Sequence, residues 1–152
     1  MAHIHEEVDF MVNVFITHSD KVLLIHHKKL NRWLAIGGHI ELNEDTDQAL
    51  FREVQEECGL EIEVLNEKPT IEAQDTKFLY TPSFLDIHKI SDTHKHIGLV
   101  YFAKTKSDKF IHNKEEHNDI RWFSREDLEK AEFNINNAVK FYANKALNSS
   151  KI

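Results

Sequence analysis

Residues 37–60 read GGHIELNEDTDQALFREVQEECGL and combine a glycine pair, an acidic loop and a helix. Asp45 or Thr46 can cap the start of this helix, and Gln48 follows Asp45 at the spacing of a capping box. Gly59 predicts where the helix ends, because glycine adopts a left-handed conformation after the last turn at little cost. The stretch therefore predicts a loop and a helix delivered by a short strand.

The predicted helix has two different faces. At about 100° per residue, an apolar face is shared by Phe51, Val54 and Cys58. A second face carries three carboxylates at i, i+3 and i+4, namely Glu53, Glu56 and Glu57. Like charges at this spacing repel by roughly 0.2–0.5 kcal/mol per pair, and the helix dipole disfavours anions in the last turn. The acidic face therefore indicates either a site for Mg²⁺ or Mn²⁺, which prefer oxygen ligands, or a solvated surface.

The spacing of the fixed residues decides between these two interpretations. Gly38, Glu44 and Arg52 stand at the spacing G-x5-E-x7-R, and the remaining fixed positions are Glu53, Val54, Glu56, Glu57, Gly59 and Leu60. This resembles the Nudix box, G-x5-E-x7-R-E-U-x-E-E-x-G-U, in which U is a bulky aliphatic residue. So many fixed positions make the match far more specific than a lone glycine-rich loop. The chain is thus identified as a member of the Nudix (MutT-like) hydrolase superfamily.

The resemblance implies an α/β fold, an α/β/α sandwich with a mixed β-sheet that carries the loop-helix motif. It implies one Nudix hydrolase domain over residues 1–152. The implied reaction is hydrolysis of a nucleoside diphosphate linked to another moiety, with Mg²⁺ or Mn²⁺ as the cofactor. The implied partner is a small nucleoside diphosphate derivative.

The resemblance also assigns roles to residues. In the implied metal site, the carboxylates come from Glu53, Glu56 and Glu57. A main-chain carbonyl, from Gly38 or Gly37, completes the set of ligands. Glu53 would be either a ligand or the general base. Arg52 and Glu44 are expected to form an ion pair that holds the glutamates in place. With Glu53 and Glu57, this pair completes the expected catalytic set.

Carboxylates outside the box are further candidates for the general base, because some family members place the base on a later loop. Glu115 and Glu116 lie just before a predicted strand at 118–123. The alternative is that both belong to a solvated loop.

The chain has 11 histidines. His94 and His96 stand at i and i+2, so on a strand they point to one face, and His88 lies on the predicted partner strand. This group would be a substrate contact, a second metal site or a proton donor; a structural, hydrogen-bonded role is the alternative. His3 and His5 form another such pair near the start of the sequence.

The flanking sequence predicts further elements. Strands are expected at 10–17, 21–27, 33–36, 61–65, 85–90, 97–105 and 118–123, and helices at 125–130 and 134–147. Residues 66–84 have no clear pattern and contain both prolines, which predicts strand fragments or a functional loop.

Composition limits the partners. The chain has 152 residues and a net charge of −7, which disfavours binding to nucleic acid polymers or anionic membranes. Its single cysteine, Cys58, excludes an internal disulfide and suits a reducing compartment. The sequence shows no signal peptide and no long apolar run, so we expect a cytoplasmic protein, monomeric or homodimeric.

Two other functions stay open at this point. One is a Nudix-fold module that senses a nucleotide without hydrolysing it, although such a module has no need for the repelling glutamates. The other is hydrolysis of a non-nucleotide pyrophosphate. The family's downstream mark for ADP-ribose, a proline about sixteen residues past the box, meets Thr76 instead, so the substrate is not specified.

Overall fold

The computed structural model describes residues 7–151. Its strands are β1 Val8–His18, β2 Lys21–His27, β3 Arg32–Leu34, β4 Ile36–His39, β5 Glu63–Val64, β6 Phe84–Ser91, β7 His94–Lys104 and β8 His117–Phe123. Its helices are α1 Thr46–Glu57, α2 Arg125–Leu128 and α3 Asn137–Ser149, with a short 3₁₀ helix, Ala131–Phe133, before α3. The predicted α/β class with a mixed sheet is confirmed.

All eight strands belong to one sheet. β1 and β7 form its centre and run parallel, in register from Val8 opposite Lys95 to Thr17 opposite Lys104. The other pairings are antiparallel: β1 with β2 and β4, β2 with β3 and β8, and β7 with β5 and β6. In the part of the chain that is described, no helix combines the length and apolarity needed to cross a bilayer.

Side chains alternate between the two faces of this sheet, and each face has its own core. On the face covered by α1, hereafter the α1 face, Val12 and Tyr101 pack with Leu50. On the opposite face, covered by α3 and hereafter the α3 face, Phe15 packs with Val139. A residue's position along β1 or β7 therefore decides which helix it meets.

Helix α1 begins as predicted and packs differently from the prediction. The Asp45 side chain accepts from the Gln48 backbone N–H, and the Gln48 side chain accepts from the Asp45 N–H, which completes the capping box. Phe51 was expected on the buried face, but it is 43% exposed. The helix instead turns the line through Leu50 and Glu57 toward the sheet, so that two glutamates take buried positions and Phe51 faces outward.

The stretch after α1 is a long loop pinned to the start of that helix. The predicted strand 61–65 shrinks to Glu63–Val64, and residues 66–83 contain only an isolated bridge between Ala73 and Thr76. Lys68 Nζ lies 2.8 Å from Asp47 Oδ2, and Lys77 Nζ lies 2.7 Å from Asp45 Oδ2. Two ion pairs therefore hold this loop against the first turn of α1.

Candidate active site

The glycine pair of β4 lies directly against the acidic side of α1. The backbone N–H of Gly37 donates to Glu57 Oε1 over 3.2 Å. A Cβ added to Gly38 would come within 2.3 Å of Glu53 Oε1. Glycine at position 38 therefore permits a carboxylate to touch the main chain, a contact that any larger residue would displace.

Two of the three predicted metal-binding glutamates are buried there. Glu53 is 4% and Glu57 3% exposed. The pKa of each carboxyl is raised to about 8, mainly by burial, and the charge of Glu57 contributes to the shift of Glu53. The ionised form of each carboxyl is thus poorly stabilised by its surroundings, so the site favours a bound cation or, without one, protonated carboxyls.

The protein itself does little to neutralise a negative charge on Glu57. Its Oε2 atom is buried without a hydrogen bond, 3.2 Å from His117 Nε2. Burial lowers the pKa of His117, so its imidazole does not supply a full positive charge at neutral pH. Within residues 7–151, no lysine or arginine forms an ion pair with Glu57.

Arg52 organises the rest of the site. Its Nη2 and Nε atoms lie 2.7 and 3.0 Å from the two Glu44 oxygens, which forms the expected pair. Its Nη1 atom contacts Glu53 Oε1 at 2.9 Å and Glu56 Oε2 at 3.2 Å. A further bond, Nη2 to the His39 carbonyl at 2.9 Å, ties the guanidinium to β4. The hydrogen bonds from Arg52 lower the pKa of Glu44, which stays ionised.

Glu56 occupies a different environment from its two neighbours. Its side chain is 52% exposed and reaches back to Arg52. The structure therefore brings Glu53 and Glu57 together against the glycines and leaves Glu56 at the rim, on the same arginine as Glu53. The arrangement offers two buried carboxylates and one accessible to solvent.

The two candidate bases on the later loop are both exposed. The charge of Glu116 contributes to the raised pKa of Glu57, so Glu116 lies within electrostatic reach of the site. The backbone N–H of Glu115 donates to the Asn113 side-chain oxygen over 3.2 Å. The residue that does meet Glu57 is His117, which directly follows these two glutamates and was not predicted from the sequence as a site residue.

The other histidine candidates, His94 and His96, lie away from the glutamates on the α3 face. They form a buried group with Asp9, and the partly buried His39 lies beside it; we call these four residues the histidine cluster. Asp9 Oδ2 lies 3.2 Å from His94 Nε2 and 3.4 Å from His39 Nε2. Burial, then the neighbouring imidazoles, lower the pKa of His96 to about 4.

Asp9 and His39 were not singled out from the sequence. The sequence held one signal for each residue: Asp9 is the only acidic residue of β1, and His39 directly follows the glycine pair. His88, the predicted neighbour, lies at the edge of the cluster, with its ring 5.8 Å from that of His96 and its Nδ1 2.8 Å from Asp86 Oδ1.

Comparison with known proteins places this geometry in context. Residues 10–144 match the model of the NUDIX domain family. The crystal structure of a NUDIX-family hydrolase from Clostridium perfringens shares 36% identity and a TM-score of 0.81, covering 92% of this chain and 96% of that one.

More distant structures share the fold. A MutT NUDIX hydrolase from Burkholderia pseudomallei is 20% identical with a TM-score of 0.67, over 91% of this chain and 98% of that one. An ADP-ribose pyrophosphatase from Streptococcus suis is 19% identical with a TM-score of 0.57, over 95% of this chain and 92% of that one. A search of curated proteins gave no significant match.

Proposed function

The chain belongs to the NUDIX family of hydrolases, and from this premise we propose that it is a metal-dependent pyrophosphohydrolase. Its substrate would be a nucleoside diphosphate linked to another moiety, and its cofactor Mg²⁺ or Mn²⁺. The reaction is the attack of water on a phosphorus atom of the pyrophosphate. The bond from that phosphorus to the bridging oxygen breaks, and two phosphate-bearing products leave.

One observation carries this proposal: two carboxylates, Glu53 and Glu57, are buried side by side with an arginine on only one of them. Burying a second charge without a partner is costly, so a protein keeps such a pair where a ligand compensates it. A hard divalent cation fits because the donors are all oxygens and Glu56 adds a solvent-facing carboxylate. The close approach of Gly38 leaves room for this arrangement.

The bound metal would neutralise phosphate oxygens and lower the pKa of the attacking water. The residues of the chain would perform the remaining work. Arg52 holds Glu53 and Glu56 through one nitrogen, and Gly37 holds Glu57 through its N–H. Glu53, which lies against Gly38 and is held by Arg52, would accept the proton from water as the general base.

Glu116 is the alternative base. Its carboxylate is exposed and close enough to influence Glu57 electrostatically, and it lies on a loop that can approach a bound substrate. Comparing Glu116→Gln with Glu53→Gln would distinguish the two: loss of the acidic limb of the pH–rate profile, where a general base becomes protonated, in Glu116→Gln alone would assign the base to Glu116.

The substrate class rests on the family and on charge. The net charge of −7 gives an anionic substrate no general attraction, so recognition of its phosphates must come from bound metal and local cations. Lys68 and Lys77, on the loop pinned to the start of α1, are such cations, although both are engaged with aspartates. A relative named as an ADP-ribose pyrophosphatase supports this general class, without specifying the compound.

The test is phosphate release from a panel of nucleoside diphosphate derivatives, coupled to a phosphatase, with Mg²⁺ or Mn²⁺ and with chelator. Glu57→Gln should fold normally and lose roughly 100-fold or more in turnover, since even outer partners of metal ligands cost about 10–100-fold. Glu61→Gln, the same change at an exposed glutamate just past the helix, is the matched control.

Each outcome is informative. Metal-dependent turnover that Glu57→Gln loses and Glu61→Gln keeps would establish the reaction and name the compound class. Full turnover in Glu57→Gln, or turnover unaffected by chelator, would contradict the proposed site. Tight nucleotide binding without hydrolysis would instead favour a sensor, and activity only on a non-nucleotide pyrophosphate would change the substrate class.

A further inference from the structure

We propose that the α3 face carries a second, separate metal site, in which Asp9, His94 and His96 bind one divalent transition-metal ion, with Zn²⁺ as the best fit. This site takes a different class of ion from the glutamates and does not depend on the proposed hydrolysis.

The distances suit a small ion. One donor atom from each of Asp9, His94 and His96 can be chosen so that all lie within 4.8 Å of one another. Around a tetrahedral Zn²⁺ with bonds near 2.0–2.1 Å, neighbouring donors stand about 3.4 Å apart. The 3.2 Å between Asp9 Oδ2 and His94 Nε2 already has this length. The other donor distances, which reach at most 4.8 Å, would have to shorten through side-chain movement when the ion binds.

The three donors lie near the beginnings of the two central strands, β1 and β7. Asp9 on β1 is the register partner of His96 on β7, and His94 stands two residues earlier on the same face of β7. All three are buried, with exposures of 1%, 6% and 7% for Asp9, His96 and His94. Sites built on strands keep donor positions more accurately than sites on loops.

The donor chemistry selects the ion. Two imidazoles and one carboxylate suit Zn²⁺ and its neighbours in the first transition row, whereas Mg²⁺ prefers an all-oxygen set. Zn²⁺ tolerates the geometry best, because it has no preferred arrangement imposed by its d electrons. The glutamates of α1 have the opposite preference, so each face is expected to take its own metal.

His39 supports the site from outside. Its Nε2 lies 3.4 Å from Asp9 Oδ2, and its ring meets that of His96 edge-on with centroids 5.0 Å apart. Side chains that contact metal-binding groups in this way orient those groups and tune the affinity for the metal. His39 is therefore a positioning residue here, one position along β4 from the glycine that touches Glu53.

The competing explanation is a metal-free group in which Asp9 simply forms ion pairs with histidines. The deciding experiment strips the purified protein of metal and titrates Zn²⁺ against a chromophoric chelator, with excess Mg²⁺ present to occupy the glutamates. Wild type and Glu53→Gln/Glu57→Gln should each bind one equivalent tightly. His94→Ala/His96→Ala should lose that equivalent. His3→Ala/His5→Ala, which alters histidines outside the described residues, should retain it.

Three results would overturn the proposal: no tight Zn²⁺ binding to the wild type, full binding in His94→Ala/His96→Ala, or loss of binding only in the glutamate or the His3/His5 variant. Circular dichroism of each variant checks that it folds. If the double variant does not fold, the wild type decides the question through nitrogen-detected NMR of its imidazoles. Shifts of the His94 and His96 ring nitrogens on addition of Zn²⁺ support the site, and their absence refutes it.

Discussion

The two faces of the central sheet carry buried ionisable groups with contrasting chemistry. On the α1 face, Glu53 and Glu57 present oxygens, and Arg52 balances one of them. On the α3 face, imidazoles surround a single carboxylate, Asp9. The contrast arises within one short strand, because Gly38 opposes Val12 and faces α1, whereas His39 opposes Met11 and faces the other way. Adjacent residues of β4 thus serve different sites.

The largest effect on activity is expected from a substitution that adds a methyl group on the α1 face. Gly38→Ala places a Cβ 2.3 Å from Glu53 Oε1, which must move away from Arg52 and from the buried site. We expect turnover to fall by about 100-fold or more, as when a preorganised contact to the reacting centre is lost. Steady-state kinetics under saturating Mg²⁺ measures this.

The matched change on the α3 face is Gly98→Ala, whose Cβ would meet Asn13 Nδ2 at 2.8 Å, a side-chain atom that is able to shift. Turnover should stay within about threefold of wild type, since sites without shared partners behave independently. Equal losses in the two variants would show that the faces are not separate.

The next largest effect concerns stability. Arg52→Ala leaves Glu44 and Glu53 without their partner, and their side chains are 13% and 5% exposed. Breaking a fully buried pair costs about 3–5 kcal/mol; because Arg52 is 21% exposed, solvent screening reduces our expectation to about 2–3 kcal/mol. Urea unfolding measures the free energy.

The control for this change is Lys89→Ala, which removes the exposed pair with Asp92 and should alter the free energy of unfolding by less than about 0.5 kcal/mol. A loss in Arg52→Ala no larger than that of Lys89→Ala would show that the arginine network does not stabilise the fold.

A smaller effect, on Zn²⁺ affinity, is expected in β4, the strand that contributes residues to both faces. His39→Ala removes the imidazole beside Asp9 but keeps the carbonyl that accepts from Arg52. Zn²⁺ affinity should therefore fall by about 10–100-fold, the usual effect of losing an outer partner. His18→Ala, at the far end of β1, should leave the affinity unchanged in the same competition titration. An unchanged affinity in His39→Ala would remove this residue from the site.

The smallest effect lies outside both faces, at the start of α2. Hydrogen bonds from Lys130 and from the Ser124 N–H lower the pKa of Asp127 to about 2. The ionised carboxylate therefore stabilises the fold above its ordinary pKa of about 4, and the contribution disappears as the pH falls toward about 2.

Asp127→Asn keeps the hydrogen bond to Ser124 and loses the charge. At neutral pH it should lower the free energy of unfolding by about 1 kcal/mol or less, and the difference from wild type should shrink below about pH 4. Turnover and Zn²⁺ affinity should not change. A difference that grows on acidification would contradict the assigned direction of the pKa shift.

The sequence predicted the α1 face well because its determinants are local. Capping by Asp45 and the spacing of the glutamates are read within one helix. Periodicity did not reveal how that helix is rotated against the sheet, so Phe51 was wrongly assigned to the core. Contacts with β4 set that rotation: the carboxylates of Glu53 and Glu57, and not the ring of Phe51, lie against the glycine pair.

The α3 face could not be assembled from the sequence. His94 and His96 were recognised as a pair, but their partner Asp9 lies on a strand far away in the chain, and only the parallel register of β1 and β7 brings it beside them. His117 was missed for a similar reason, since its meeting with Glu57 depends on the pairing of β8 with β2. The catalytic roles of the glutamates remain predictions.

The parallel pairing of β1 with β7 also determines the stage of folding at which the proposed zinc site forms. Contacts between residues so far apart in sequence require closure of a long loop, and proteins rich in such contacts fold slowly, in about milliseconds to seconds. Asp9 meets His94 and His96 only once this step is complete, so the unfolded chain holds no preformed ion site. We therefore expect Zn²⁺ to bind only after β1 has paired with β7. Bound Zn²⁺ should slow the unfolding of the protein and leave its folding rate unchanged.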